Sequence, residues 1–200
     1  MPAEVHVFSA GDIPRDCSSI FVETSFLRWA MIGEIVSRNP AYSQAADFLH
    51  SLLVQMTCEV WTTPFVYEEI LYGLLYDRLR REALNCDLAS LTWASLKHEH
   101  AEMFDDLMGR HAHTTSSEVA HFLESNGVVV RLPRHALWEG TELGDQLVLY
   151  MSWLVSRYHI EPADALHIGC YAFDGADAIA STDLGFQRVD GIRVIAHRAT

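Results

Sequence analysis

Pro162-Ala163-Asp164-Ala165-Leu166-His167-Ile168-Gly169 opens the stretch that decides the fold, and it continues through Gly175-Ala176-Asp177, Ser181-Thr182-Asp183-Leu184-Gly185-Phe186 and Gly191-Ile192-Arg193-Val194-Ile195. Pro162 can begin a helix, because the N–H it lacks is not needed in the first turn. The apolar spacing carries that helix to about Phe173. Ala178–Ser181 and Ile192–Ile195 are short apolar runs of strand character. Helix, strand and strand thus follow one another, and two acids, Asp164 and Asp183, fall at the boundaries.

Working outward, Ser19–Val22 reads as a strand that ends at Glu23. Thr24 and Ser25 follow with hydroxyls able to cap a helix beginning near Phe26. Ala41–Met56 reads as a helix with Ala45, Phe48, Leu49, Leu52 and Leu53 on one side, then Cys58–Trp61 as a strand. Pro64 starts a further helix, reaching about Arg81 and carrying Glu68 and Glu69. Adjacent helical residues point about 100° apart, so only one of these two acids can enter a given cleft. Glu69 is preferred, since Gly73 one turn on leaves room beside it.

Residues 85–124 are helical in pattern, with Leu88, Leu91, Leu96, Met103, Phe104 and Leu107 expected to face inward. Gly127–Leu132 reads as a buried strand, and a long helix follows between His135 and Tyr158. Strands separated by helices imply a three-layer α/β/α fold around a central parallel sheet of about five strands. Residues 78–125 form a helical insertion in a single domain spanning 19–200. Residues 1–18, with edge-like alternation at Val5–Phe8 and turn residues at Gly11, Pro14 and Asp16, are expected as a loosely attached extension. In such a sheet the ligand cleft lies at the carboxyl ends of the strands. Glu23 and Asp183 both fall there.

The formal net charge of −13 excludes a general basic nucleic-acid binder. A phosphate ligand then calls for a metal ion, because clustered carboxylates repel one another until a hard divalent cation neutralises them. No apolar run approaches the roughly 18 residues of a membrane span. Cys17, Cys58, Cys86 and Cys170 lack metal-type spacing and read as reduced thiols of a cytoplasmic protein. His98, His100, His111 and His113 read as solvated, and Arg78, Arg80 and Arg81 as a salt-bridged helix face. Each acid also has a plain structural role open to it: a helix start for Glu23, helix surface for Glu69, a dipole partner for Asp164 and a turn cap for Asp183.

The quoted C-terminal motifs, together with Phe21-Val22-Glu23-Thr24-Ser25 and Thr63-Pro64-Phe65-Val66-Tyr67-Glu68-Glu69, resemble the PIN-domain family of metal-dependent ribonucleases. That family includes toxins of type II toxin–antitoxin pairs. The resemblance implies that Glu23, Glu69, Asp164 and Asp183 are catalytic carboxylates binding Mg2+ or Mn2+. Ser25 and Ser181 are implied as hydroxyls near the substrate, while His167, three residues after Asp164 on the same helix, reads either as a phosphate contact at the cleft or as a packing residue of an apolar helix. RNA is then the substrate, with an antitoxin protein and a second copy of the chain as candidate partners. The family usually has Asp where Glu23 stands and often a further acid where Gly185 stands. Those departures favour an alternative, a PIN-like scaffold that binds RNA or protein and cuts weakly or not at all.

Overall fold

A computed structural model describes residues 1–8, 16–35, 39–55, 58–85, 92–133 and 142–198. Six parallel strands form one sheet in the order β1-β6-β5-β2-β3-β4, namely β1 (Glu4–Val7), β2 (Ser19–Val22), β3 (Glu59–Thr62), β4 (Val129–Val130), β5 (Ala178–Ala180) and β6 (Arg193–Ala196). The helices of this three-layer α/β/α fold are α1 (Thr24–Ile35), α2 (Pro40–Gln55), α3 (Pro64–Asn85), α4 (Trp93–Glu99), α5 (Ala101–Ser125), α6 (Glu142–Tyr158) and α7 (Pro162–Asp174). They pack mainly in pairs, α1 with α2, α3 with α5 and α6 with α7. The connection from β2 leads to β3 on one side, whereas β5 pairs with β2 on the other. The switch of strand order between β2 and β5 is where a parallel sheet opens a crevice at its carboxyl edge.

Ile20, Phe21, Val22, Trp61, Ala178, Ile179 and Ala180 are buried at the middle of the sheet. Short strands with almost no polar side chains are stable only with both faces covered. Phe21 and Trp61 pack ring against ring across β2 and β3, with centroids 4.9 Å apart. Phe8, Phe26 and Phe48 form a second aromatic group that joins the N-terminal segment to α1 and α2.

Two expectations change. The first eighteen residues supply a sixth strand: β1 pairs with β6 from Glu4 opposite Arg193 to Val7 opposite Ala196. The stretch 127–132 is a two-residue edge strand rather than a buried one. Val129 and Val130 are 46 % and 44 % exposed, because β4 has a neighbour only in β3. Gly11, Pro14, Leu88, Leu91, Cys86 and His135 lie outside the described residues, as do the side chains of Trp93 and Leu96.

The helical segment carries its own small core, Leu79 of α3 against Phe104 and Leu107 of α5, with Met103 beside them. Arg78 pairs with Glu118 between the same helices. Among the described residues, no helix is long and apolar enough to cross a membrane.

Candidate active site at the carboxyl edge of the sheet

The chain leaves β2 at Glu23, whose N–H bonds the carbonyl of Ala180 in β5 at 3.2 Å. This last rung of the parallel ladder fixes the backbone of Glu23 at the sheet edge. Its side chain is 3 % exposed and turns back over the start of α1. The N–H of Ser25 donates to Oε2 at 2.9 Å and that of Phe26 to Oε1 at 3.3 Å, while the Ser25 hydroxyl also donates to Oε1. Glu23 is therefore a helix cap that satisfies N–H groups α1 cannot use internally. The structural role open to it in the sequence is the role these contacts serve.

Ser25 is committed as well. Its hydroxyl accepts from the N–H and the hydroxyl of Thr182, at 3.0 and 2.7 Å. This joins the loop after β5 to the start of α1 across 157 residues of sequence. Ser181 is fully buried, and its oxygen accepts from the N–H of Asp183 at 3.0 Å. Both serines hold the loops that present acids. Asp183 in turn accepts from the N–H of Gly185 at 2.6 Å, an Asx-type turn. A Cβ at position 185 would lie 3.1 Å from Oδ1 of Asp183, so glycine leaves that carboxylate uncrowded.

Glu69 lies in the second turn of α3, and Glu68 beside it is exposed. Two groups address the same oxygen of Glu69: the Thr24 hydroxyl donates to Oε2, and Nε2 of His167 lies 2.9 Å from it. A carboxylate only accepts, so Nε2 carries the hydrogen. Burial raises the proton affinity of Glu69, but the bonds from His167 and Thr24 outweigh it and hold the carboxyl below its ordinary range. The room at Gly73 goes elsewhere: a Cβ there would lie 3.3 Å from the guanidinium of Arg28, which reaches across to Asp77.

His167 is 2 % exposed, with Nε2 turned to Glu69. The ring sits beneath the cleft, with its centroid 6.1 Å from that of Phe21. Burial depresses its basicity, but Glu69, then Glu23 and Asp164, reverse that effect, so its proton is held more tightly than usual.

Asp164 stands in the first turn of α7. Gly175 ends that helix at φ +78°, a left-handed position that suits glycine, and so turns the chain into β5. Of the four acids, Asp164 alone makes no side-chain hydrogen bond among the described residues. Its pKa is pushed up to about 6, first by burial and then by the charges of Asp183 and Glu23. Three carboxylates from three elements thus repel one another at the sheet edge, relieved in part by His167.

The set does not close into a metal cage. Among the described residues, no three His, Cys, Asp or Glu side chains are gathered at metal-holding spacing. The donor chemistry nevertheless fits a hard divalent ion. Magnesium keeps several waters and commonly takes only one or two carboxylates directly, so a wider ring of acids suits it. Asp164 and Asp183 have oxygens to offer. Glu23 and one oxygen of Glu69 are already engaged.

Thr182 is a contributor that the sequence did not mark out, and Thr24, expected to cap its own helix, instead serves Glu69. Both adjoin an acid, Glu23 and Asp183, and a hydroxyl beside a strand-end carboxylate is the signal that could have found them.

Comparison with protein-family models gives no match, and comparison with curated proteins gives none. Among solved structures the chain matches VapC20 of Mycobacterium tuberculosis, described as a sarcin–ricin loop cleaving toxin. The two are 19 % identical, the match covers 80 % of this chain and 86 % of that one, and the TM-score is 0.40. The overlap is loose, so the residues of the cleft take their roles from their own contacts.

Proposed function

We propose that the cleft binds a divalent cation, Mg2+ or Mn2+, and hydrolyses RNA phosphodiester bonds as a PIN-like endoribonuclease. One observation carries the reading: Asp183 and Glu23, from the β5 loop and the end of β2, bring their negative charges to bear on Asp164 of α7, whose carboxyl is pushed up to about 6 by burial and by those charges. Such repulsion is unfavourable for folding and is relieved when a cation is present, which is the electrostatic pattern of a functional site. The ion supplies positive charge to the phosphate and makes water a better nucleophile. Asp164 and Asp183 hold it, Glu69 completes the ring from α3, and Glu23 fixes the start of α1 while adding negative charge behind the others.

The net charge of −13 leaves little general attraction for RNA, so binding depends on the ion. Cys17, Cys58 and Cys170 are free thiols, in keeping with a reducing cytoplasm. As the toxin of a toxin–antitoxin pair, the protein would be held in check by an antitoxin encoded next to it. An adjoining reading frame for a small protein is the simplest observation bearing on that.

The test is cleavage of a mixed RNA pool with and without manganese. Wild type cuts only with the metal, and Asp164→Asn lowers the rate by at least about 100-fold. Equal cleavage by both proteins rejects the site.

A second reading has its own observation. The N–H groups of Ser25 and Phe26 and the Ser25 hydroxyl all lie on the Glu23 carboxylate, as expected of a PIN-like scaffold whose first acid has become a cap. Calorimetry separates the two, since the scaffold binds no manganese at millimolar concentration.

A further inference from the structure

His167 and Thr24 approach Glu69 from different elements, α7 and the first residue of α1, and both reach the same atom, Oε2. Among the described residues, Oε1 receives no hydrogen bond. Two donors on one carboxylate oxygen fix the rotation of the group about its last bond and leave the other oxygen with its lone pairs free. The histidine that does this is itself immobile: its side chain is 2 % exposed and packs near Phe21. Its second nitrogen, Nδ1, is buried without a partner. A buried polar atom left unsatisfied is a cost that a packing role alone does not explain, because an apolar side chain of similar size would avoid it.

We propose that His167 is a positioning residue for the metal reading of the cleft: with Thr24 it holds Oε2 of Glu69 so that Oε1 points to the ion. This rests on the cleft being a metal site and goes beyond it in two respects. It takes His167 out of the substrate contacts. It also makes Glu69 a ligand through one oxygen only, directly or through water. Position 167 is one turn after Asp164 on α7, so the helix that presents one acid also orients another that lies 98 residues away in sequence. Groups that orient metal ligands in this way typically change metal affinity by about 10–100-fold when removed.

Titration calorimetry with manganese chloride on the full chain tests the proposal, with thermal unfolding of the same samples as a control for folding. Substituting His167→Gln leaves an amide that can still donate to Glu69, whereas His167→Leu fills the space and donates nothing. Affinity for manganese is expected to fall about 10-fold or more in His167→Leu and to stay within about 3-fold of wild type in His167→Gln. Thr24→Val, nearly isosteric and outside the core, is expected to lower affinity in the same direction, and it reports on Oε2 even if His167→Leu fails to fold. Wild-type affinity in both His167→Leu and Thr24→Val overturns the positioning role while leaving the metal site standing. A wild-type protein that binds no manganese overturns the metal site, and the positioning role with it.

Discussion

Asp177 and Asp164 sit at opposite ends of the sheet and in opposite electrostatic states. Asp177, at the amino end just before β5, receives the hydroxyl and N–H of Ser18 at 2.7 and 2.8 Å and the N–H of Ser19 at 3.0 Å, all on one oxygen. The Ser18 hydroxyl, then the Ser18 N–H, hold its carboxyl below the ordinary aspartate range. Asp164, at the carboxyl end, has no such donors, and its pKa is pushed up to about 6 by burial and neighbouring acids. Both aspartates belong to the same run of sequence motif. One ties β5 to β2 and stabilises the fold; the other strains it. On the proposed reading, the contrast separates a residue that serves stability from one that serves a ligand.

The largest expected effect is on binding. At manganese about 100-fold above its dissociation constant, wild type gains about 2.7 kcal/mol. For a chain of this size that is a rise of about 5–10 °C in Tm. Asp164→Asn should show no rise, whereas Asp177→Asn should show the full one. A metal-dependent rise retained in Asp164→Asn would dissolve the contrast.

Without metal the order reverses. Asp177→Ala should lose about 1–2 kcal/mol of stability, read as a lower urea midpoint, because two N–H groups and a hydroxyl lose a charged acceptor at a partly exposed site. Asp164→Asn should instead gain about 2–4 °C in Tm at pH 7, a figure already reduced for solvent screening.

The pH dependence of these differences has opposite signs. Asp164 has a folded pKa above its ordinary value of 3.8, so folding favours its protonated form. Its destabilising effect is absent below pH 3.8 and develops as pH rises through about 6, so the advantage of Asp164→Asn should grow over that window. Asp177 has a lowered pKa, so its contribution is present above its ordinary value of 3.8 and is lost as pH falls below it. Unfolding of both variants against wild type from about pH 2.5 to about pH 7.5 checks the two slopes. Parallel curves would contradict the assignment.

The smallest effect belongs to the helical segment. Arg78 and Glu118 join α3 to α5 at the surface. Breaking the pair with Arg78→Ala should cost less than about 1 kcal/mol and leave manganese binding unchanged, since neither residue belongs to the cleft.

Much of this was readable in the chain. The strands at Ser19–Val22 and Ala178–Ser181 and the helix from Pro162 stand within a residue or two of their expected bounds, because apolar runs and a proline start are local signals. Helix geometry allowed only one of Glu68 and Glu69 into the cleft, and Glu68 is exposed, although the room at Gly73 that favoured Glu69 is taken by Arg28. Edge position was less legible. Val129 and Val130 read as core, since an apolar run does not reveal how many neighbours its strand has. The hydroxyls were legible as present but not in their use. Ser25, Ser181, Thr24 and Thr182 bind acids or one another across contacts of 2 to 157 residues in sequence, and only folding brings the distant ones together.

The sequence by itself determined which residues stand at strand ends and helix starts, and therefore that Glu23 and Asp183 close strands at one edge of a parallel sheet. Local periodicity and end signals suffice for that. The tertiary structure alone decided what each acid does there: Glu23 caps α1, Glu69 is held through one oxygen, Asp183 closes a turn, and Asp164 is left repelled. The contacts of Glu23 and Asp183 lie within three residues and were open to them in the sequence beside other roles; the hold on Glu69 and the repulsion at Asp164 come from burial and from groups brought together by distant parts of the chain, which have no signature in residue spacing.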